Sequence, residues 1–247
     1  MSLKLSKSQI ERFSRQIILK NIGAKGQENI LNSKALIIGM GGLGCPVAEF
    51  LTRAGIGTLG IVDHDIVNLS NLHRQSLYDK SDLGKSKVIV SKKKLRNINS
   101  KIKINFYNFN LNKKKFEKII KQYDYIIDGT DNFIAKFLIN DLSLKYKKFL
   151  VTGAISKFDG HVFTFDFKHK TTASLKNFYQ ENEISDDTLN CEFEGVLGTT
   201  ASIVGATQAN EALKMIMEIG QNLKNQILII DLLNLNFRKV KFKKNRL

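Results

Sequence analysis

Three glycines in a G-x-G-x-x-G pattern, Gly39, Gly41 and Gly44, have the spacing that most directly indicates a chemistry. They follow a short apolar run typical of a buried strand and precede an apolar stretch typical of a helix. Glycine lets the chain turn tightly and lets backbone approach an anion, while the free N–H groups of the next helix favour negative charge. The pattern predicts a nucleotide-phosphate loop, without distinguishing NAD from ATP. Asp63, at the end of the next strand, suits a ribose in either case.

Charged and amide side chains follow the ends of further predicted strands. Asp63 and Asp65 end the second strand, and Asp128 and Asp131 end the fourth. In open parallel sheets the ligand lies beyond the carboxyl ends of the strands, so these side chains are expected to surround one ligand. The loop after the second strand adds Asn71, Arg74 and, at a helix start, Lys87.

The number of cations favours nucleotidyl transfer over hydride transfer. Hydride transfer builds no charge near the phosphates, whereas attack on the α-phosphorus of ATP builds charge on the phosphoryl oxygens and on departing pyrophosphate. Arg74 and Lys87 fit the stabilisation of that charge, and Arg15, in the amino-terminal helix, is a third candidate. Asp131 suits Mg²⁺, which prefers carboxylate and phosphate oxygens.

Each of these residues also has an ordinary structural interpretation. Arg74 could pair with a surface acid, Lys87 could be one more lysine of a basic chain, and Asp131 could cap a helix predicted over 132–146. Their joint occurrence at strand ends with a phosphate loop favours the chemical interpretation.

Composition restricts the class of protein. A chain of 247 residues with 43% hydrophobic residues suits a globular α/β protein with a substantial core. The net charge of +16 comes mostly from lysine residues and is interpreted as compositional drift along the whole chain. Nucleic acid is therefore not expected as a partner. No apolar run is long enough to span a membrane and residues 1–7 lack the apolar core of a secretory signal, so a cytoplasmic protein is expected.

The hydrophobic pattern predicts a doubly wound, mostly parallel sheet. The first helices are predicted at 6–20 and 24–32. Strands are predicted at 35–39, 58–62, 102–106, 123–127 and 149–153, with helices at 44–54, 84–97, 112–121 and 132–146 between them. A strand at 160–167, a polar crossover loop at about 168–195, a helix at 198–219 and strands at 226–231 and 235–242 follow.

This order is interpreted as a single domain with three parts. Residues 1–33 are amino-terminal helices, residues 34–155 are a nucleotide-binding core, and residues 156–247 extend the sheet. The long crossover loop is expected to be functional, mobile or both.

In several motifs the chain resembles the ThiF/MoeB/HesA group, which is related to ubiquitin-activating enzymes. The resemblance covers about residues 12–239. It rests on Arg12-Phe-Ser-Arg15, the glycine loop with Cys45-Pro46, Val62-Asp-His-Asp65, Asn71-Leu-His-Arg-Gln75, Thr130-Asp-Asn132, Asn190-Cys-Glu-Phe-Glu-Gly-Val196 and Gln208-Ala-Asn-Glu-Ala212. It implies a homodimer that uses Mg·ATP to adenylate the carboxy-terminal glycine of a small ubiquitin-like sulfur carrier with a Gly-Gly terminus, releasing pyrophosphate.

The resemblance also implies roles for matching residues. Gly42 and the loop would bind phosphates, Asp63 the ribose, and Asp131 magnesium. Asn71, Arg74 and Lys87 would contact the phosphate chain, and Arg15 would reach the ATP of the partner subunit. The sulfur donor is expected to be a separate protein.

Only two cysteines occur, so a four-cysteine zinc site is excluded and no zinc is expected. Cys191 lies in the crossover loop, where ThiF-like members use a cysteine as an acyl acceptor and MoeB-like members need only the adenylate. A thiol in a polar loop is a plausible nucleophile. Cys45 is expected to be a small buried residue. Without the zinc-binding pairs of related proteins, residues 168–190 should be more mobile or held by other packing.

Three functions are distinguished. The first is a sulfur-carrier adenylyltransferase serving thiamine thiazole or molybdopterin synthesis. The second keeps the fold and changes the acceptor, as in tRNA threonylcarbamoyl-adenosine dehydratases or peptide-adenylating members. The third is a nucleotide-binding scaffold without catalysis.

Overall fold

The computed structural model describes residues 5–169, 171–179 and 195–242. The strands are β1 (Lys34–Ile38), β2 (Thr58–Asp63), β3 (Lys103–Asn108), β4 (Tyr125–Asp128), β5 (Phe149–Ser156), β6 (Asp159–Asp166), β7 (Gln226–Asp231) and β8 (Asn236–Lys241). The helices are α1 (Lys7–Ile17), α2 (Gly23–Asn32), α3 (Gly44–Ala54), α4 (Lys87–Ile98), α5 (Lys113–Ile120), α6 (Phe133–Lys145) and α7 (Gly198–Met217).

The described strands form one eight-stranded sheet in the order β3-β2-β1-β4-β5-β6-β7-β8. β1 to β5 are parallel, and β6, β7 and β8 continue the sheet by antiparallel pairing. The predicted doubly wound, mostly parallel sheet with extra carboxy-terminal strands is confirmed. The order reverses at β1, which lies between β2 and β4, and this is where a ligand crevice is expected.

Helices cover both faces of the parallel strands. Side chains from α3, α4 and α7 form a core on one face, and α5 and α6 form a second core on the other. Because both faces are covered, four of the five residues of β1 are buried, which explains its unbroken apolar run. α1 begins at a capping box, in which the Ser6 and Gln9 side chains each accept the backbone N–H of the other residue.

The helix predicted over 84–97 begins three residues later, at Lys87. Gly84 has a φ of +76°, and Ile66 pairs with Ser86 in an isolated bridge. The backbone N–H of Lys87 donates to the carbonyl of Asp65 at 3.0 Å. These contacts hold the first residue of α4 beside the end of β2.

Aromatic packing holds part of the predicted crossover loop, at residues 178 and 179. The ring of Phe178 lies 5.2 Å from Phe163 and 5.8 Å from Phe242, and the Tyr179 hydroxyl is 2.9 Å from Nδ1 of His161. This part of the segment is therefore held by packing, one of the two expected outcomes. Residues 170 and 180–194 lie outside the described part of the chain.

Candidate functional site

A cavity of about 850 Å³ lies at the carboxyl ends of the central strands, where the strand order reverses. Nine of the residues predicted from sequence line it: Gly39, Gly41, Gly42, Asp63, Asp65, Asn71, Arg74, Lys87 and Asp131. Segments that are far apart in sequence are thus brought together in one cavity.

The glycine loop is held in a tight turn between strand and helix. Gly39 has a φ of +89°, a conformation that favours glycine, and a Cβ there would lie 2.7 Å from the carbonyl oxygen of Gly129. A Cβ on Gly44 would lie 1.9 Å from the carbonyl oxygen of Gly39, so this position also requires glycine. Gly44 packs closely against the backbone of the loop and does not line the cavity.

Asp63 fixes the loop against the end of β2. Its Oδ2 accepts the backbone N–H of Met40 at 2.6 Å, and its Oδ1 accepts that of Asp65 at 2.8 Å. Each carboxylate oxygen can accept a second hydrogen bond, so the side chain keeps the capacity to bind a ribose hydroxyl.

Lys87 differs from the surface lysines of this basic chain. It is only 5% exposed, and its Nζ lies 2.9 Å from Oδ2 of Asp65, which is itself exposed. A buried ammonium beside a phosphate loop is positioned to interact with an anion in the cavity.

Arg74 forms no ion pair with any residue that the structure describes. Its guanidinium donates to the carbonyl of Ser70 at 2.9 Å and lies 2.7 Å from Nε2 of His73. The structure therefore does not bear out a surface ion pair. Asn71 is buried and accepts the backbone N–H of Asn68 through its side chain at 3.1 Å, which holds the short turn before Arg74.

Asp131 is exposed in the loop between β4 and α6. The helix cap is the next residue, Asn132, whose Oδ1 accepts the N–H of Ala135 at 2.8 Å. Asp131 is thus not needed to begin the helix, and its carboxylate is available as a ligand.

Asp63, His64 and Asp65 offer one ligand atom each within 4.8 Å of one another. These three residues are the one group of candidate metal ligands found within residues 5–169, 171–179 and 195–242. Because Asp131 is not part of that cluster, a magnesium ion bound by Asp131 would take its remaining ligands from phosphate and water, as is common for this ion.

Asp128, the last residue of β4, has a different role from Asp131, which follows the strand. It is fully buried, and its carboxylate accepts hydrogen bonds from Thr130 N at 2.9 Å, from Thr130 Oγ1 at 2.6 Å and from Thr152 Oγ1. Its fourth partner is Nζ of Lys136 at 3.1 Å, which also donates to the carbonyl of Gly153 at 2.5 Å. This buried pair fixes the loop that carries Asp131, and sequence reasoning missed it. The signal was a single lysine within the apolar run 133–139 at the start of α6.

Apolar residues on the cavity wall were also not predicted. Phe109 and Leu111, which follow β3, and Leu138 of α6 line the cavity. Such side chains suit the planar face of a base, with the charged residues placed toward phosphates. The arrangement can bind a nucleotide.

Four predicted residues are not placed in this cavity, and two of them, Gly44 and the buried Asp128, are described above. Arg15 is exposed on α1 and does not line the cavity of its own chain. Cys191 lies outside the described residues. Cys45 is buried, as predicted, and burial raises the pKa of its thiol to about 12, which makes it a poor nucleophile at neutral pH.

The fold and the cavity together define a nucleotide-binding α/β protein with several ionic groups at its phosphate loop. The ThiF family model matches residues 13–247, and the chain belongs to this family. The resemblance recognised in the sequence is thereby confirmed.

Curated relatives are similar over almost the whole chain. A sulfur carrier protein adenylyltransferase of Thermus thermophilus is 35% identical over 98% of this chain and 91% of its own length. A probable molybdopterin-synthase adenylyltransferase of Porphyra purpurea is 40% identical over 93% of this chain, which matches 60% of that longer protein. These names confirm the expected nucleotidyltransferase class and favour ATP as the nucleotide.

Solved structures share the fold at lower identity. The crystal structure of E. coli MccB with ATP has a TM-score of 0.85 and 19% identity, covering 98% of this chain and 74% of that one. The crystal structure of PaaA has a TM-score of 0.83 and 24% identity, covering 99% and 77%. Within the part of the chain that is described, no helix is both long and apolar enough to cross a membrane.

Proposed function

We propose that this protein uses Mg·ATP to adenylate the carboxy-terminal glycine of a small ubiquitin-like sulfur-carrier protein. The observation that supports this most is the gathering of the glycine loop, Arg74, Lys87 and Asp131 in one cavity. The acceptor is suggested by the Thermus thermophilus relative, which is named for a sulfur carrier protein and is matched over 91% of its length.

The proposed reaction forms one bond and breaks one. A carboxylate oxygen of the carrier attacks the α-phosphorus, and the bond to the β-phosphate oxygen breaks, so that pyrophosphate leaves with the electron pair. No general base is needed, because the carboxylate is already ionised at neutral pH. Bound magnesium would neutralise phosphate charge, and Asp131 would hold it. Arg74 and Lys87 would bind and orient the phosphates and stabilise the charge that develops there.

The wall of the cavity near β5 suits a glycine tail. Ala154 and Ile155 of this strand, together with Gly195 and Val196, line the cavity. They offer small and apolar surfaces, against which a narrow extended chain can lie. A tail ending in two glycines would fit such a surface with little steric hindrance.

The function is tested by carrier-dependent exchange of labelled pyrophosphate into ATP. We expect exchange with the cognate carrier and none with the same carrier lacking its last glycine. Carriers of the thiamine thiazole type and of the molybdopterin type, assayed side by side, would assign the pathway. ATP binding without exchange for any cognate carrier would refute the proposal and favour a scaffold.

The proposed homodimer predicts complementation between subunits. If Arg15 serves the ATP of the partner subunit, Arg15→Ala and Asp131→Ala proteins are each nearly inactive alone. In a mixed and reannealed sample, heterodimers would contain one intact site, restoring about a quarter of wild-type exchange. A mixture as inactive as its components would place Arg15 at the site of its own subunit, and an Arg15→Ala protein that is active alone would place it outside the reaction.

The proposed acyl-accepting role of Cys191 predicts a separation of two activities. Cys191→Ala is expected to keep pyrophosphate exchange within about twofold, because adenylation precedes any thiol step. The same variant should lose the thiol-sensitive covalent adduct with the carrier, detected by intact-protein mass spectrometry. Cys45→Ala is the matched control and should leave the adduct unchanged. An adduct that persists in Cys191→Ala would assign this residue no covalent role.

A further inference from the structure

The positive charge of this protein is concentrated in one segment. Residues 92–121 contain 11 lysine and arginine residues and a single acid, Glu117. This eighth of the chain therefore carries +10 of the net +16. The interpretation of the charge as even drift along the chain does not describe this distribution.

The fold places these cations around one edge of the sheet. β3 is the edge strand, α4 packs against it, and α5 follows it. We call this area the β3 edge surface and define it by ten residues: Lys92, Lys93, Arg96, Lys101, Lys103, Lys113, Lys114, Lys115, Lys118 and Lys121. Nine of the ten are exposed and Lys92 is half-buried.

None of these ten cations forms an ion pair within the residues that the structure describes. Two acids nearby are already engaged by other lysines. Glu117 pairs with Lys145 of α6 at 2.7 Å, and Asp79 pairs with Lys94 at 2.5 Å. The charge of the β3 edge surface is thus uncompensated, which is unfavourable unless counterions or a polyanion neutralise it.

Two aromatic rings lie among these lysines. Nζ of Lys92 is 4.5 Å from the centroid of Phe106, which is 40% exposed, and Nζ of Lys115 is 5.1 Å from that of Phe109. These contacts connect α4 and α5 to β3 and its following loop. Phe109 also lines the cavity, so the β3 edge surface extends to the cavity.

We propose that the β3 edge surface binds the phosphate backbone of a single-stranded nucleic acid. Many unpaired cations with an exposed aromatic ring are what such binding requires, because phosphates release counterions and bases stack on aromatic faces. A protein partner fits less well, because lysine is depleted from the cores of protein interfaces and Phe106 is the only large apolar side chain exposed on β3. A flexible single strand can follow the surface from α4 around the edge to α5.

The test is fluorescence anisotropy with labelled 20-nucleotide RNA and DNA strands, without ATP or carrier. The variant is K101Q/K103Q/K113Q/K114Q, and the matched control is K20Q/K25Q/K224Q/K239Q, which removes equal charge elsewhere. We expect the first to raise Kd at least about tenfold at 50 mM salt and the control less than threefold. The slope of log K against log salt should fall by about 3, as four lost phosphate contacts imply.

Three results would overturn the proposal. The first is that the wild-type protein binds neither strand at 50 mM salt. The second is that both quadruple variants lose the same amount of affinity. The third is that polyglutamate competes as effectively as an unlabelled strand of equal charge. The last would assign the surface to an acidic protein. A difference in Kd between the RNA strand and the DNA strand identifies which nucleic acid the surface prefers. Because the assay omits ATP and carrier, it is independent of the proposed adenylation.

Discussion

Replacing Arg74 with alanine is expected to lower carrier-dependent pyrophosphate exchange by about 100- to 1000-fold, the usual cost of losing one preorganised group that stabilises developing charge. The guanidinium lines the cavity and has no acidic partner among the described residues. Its charge is therefore available for the phosphates. The fall should appear mainly in kcat, because the charge that Arg74 opposes grows as the α–β bond breaks.

Two further variants make this result specific. Arg53→Ala removes an exposed arginine whose guanidinium pairs with Glu49 at 2.7 Å on the outside of α3, and it should change exchange less than twofold. Arg74→Lys keeps the charge and loses the planar fork, so partial activity is expected. Unchanged exchange in Arg74→Ala would show that the arginine has no part in the reaction and would favour a scaffold function.

Lys136→Met should lower the free energy of unfolding by about 3 to 5 kcal/mol, the cost typical of leaving a buried charge without its partner. Lys136 is 4% exposed and Asp128 is fully buried. The variant retains the three hydroxyl and backbone donors to Asp128 and loses the ammonium of Lys136, its ion-pair partner among the described residues. The free energy is measured by urea unfolding followed by far-UV circular dichroism, because the chain has no tryptophan.

Lys145→Met is the matched control on the same helix. Lys145 is exposed and pairs with Glu117 at 2.7 Å, so its loss should cost less than about 1 kcal/mol. A second variant, Asp128→Asn/Lys136→Met, removes both charges and should recover part of the stability lost by Lys136→Met alone. Equal losses from Lys136→Met and Lys145→Met would mean that the buried pair does not stabilise the loop.

The sequence predicted the sheet well because its signals are local. β1 and β4 are short apolar runs between helical stretches, and burial on both faces requires such runs. The glycine loop was equally clear, since Gly39 and Gly44 have backbone contacts that only glycine permits. Prediction of a shared cavity for Arg74, Lys87 and Asp131 needed one further rule, that parallel strands end at the same edge.

What the sequence did not predict depends on contacts between different elements of the fold. The partner of Asp128 lies eight positions away on the next helix, and Thr152 joins it from β5. The start of α4 was placed at residue 84, because the pairing of Ile66 with Ser86 has no local signal. The apolar wall formed by Phe109 and Leu111 was overlooked for the same reason: both look like ordinary core residues.

Three side chains between the end of β4 and the start of α6 have three different roles. Asp128 supports the core through Lys136, Asn132 begins α6, and Asp131 is exposed in the cavity with neither task. A change confined to Asp131 would therefore leave both supports in place. Under the proposed function, a single substitution at Asp131 would abolish adenylation while the fold stays intact, so a catalytically inactive descendant of this protein would be separated from it by one residue.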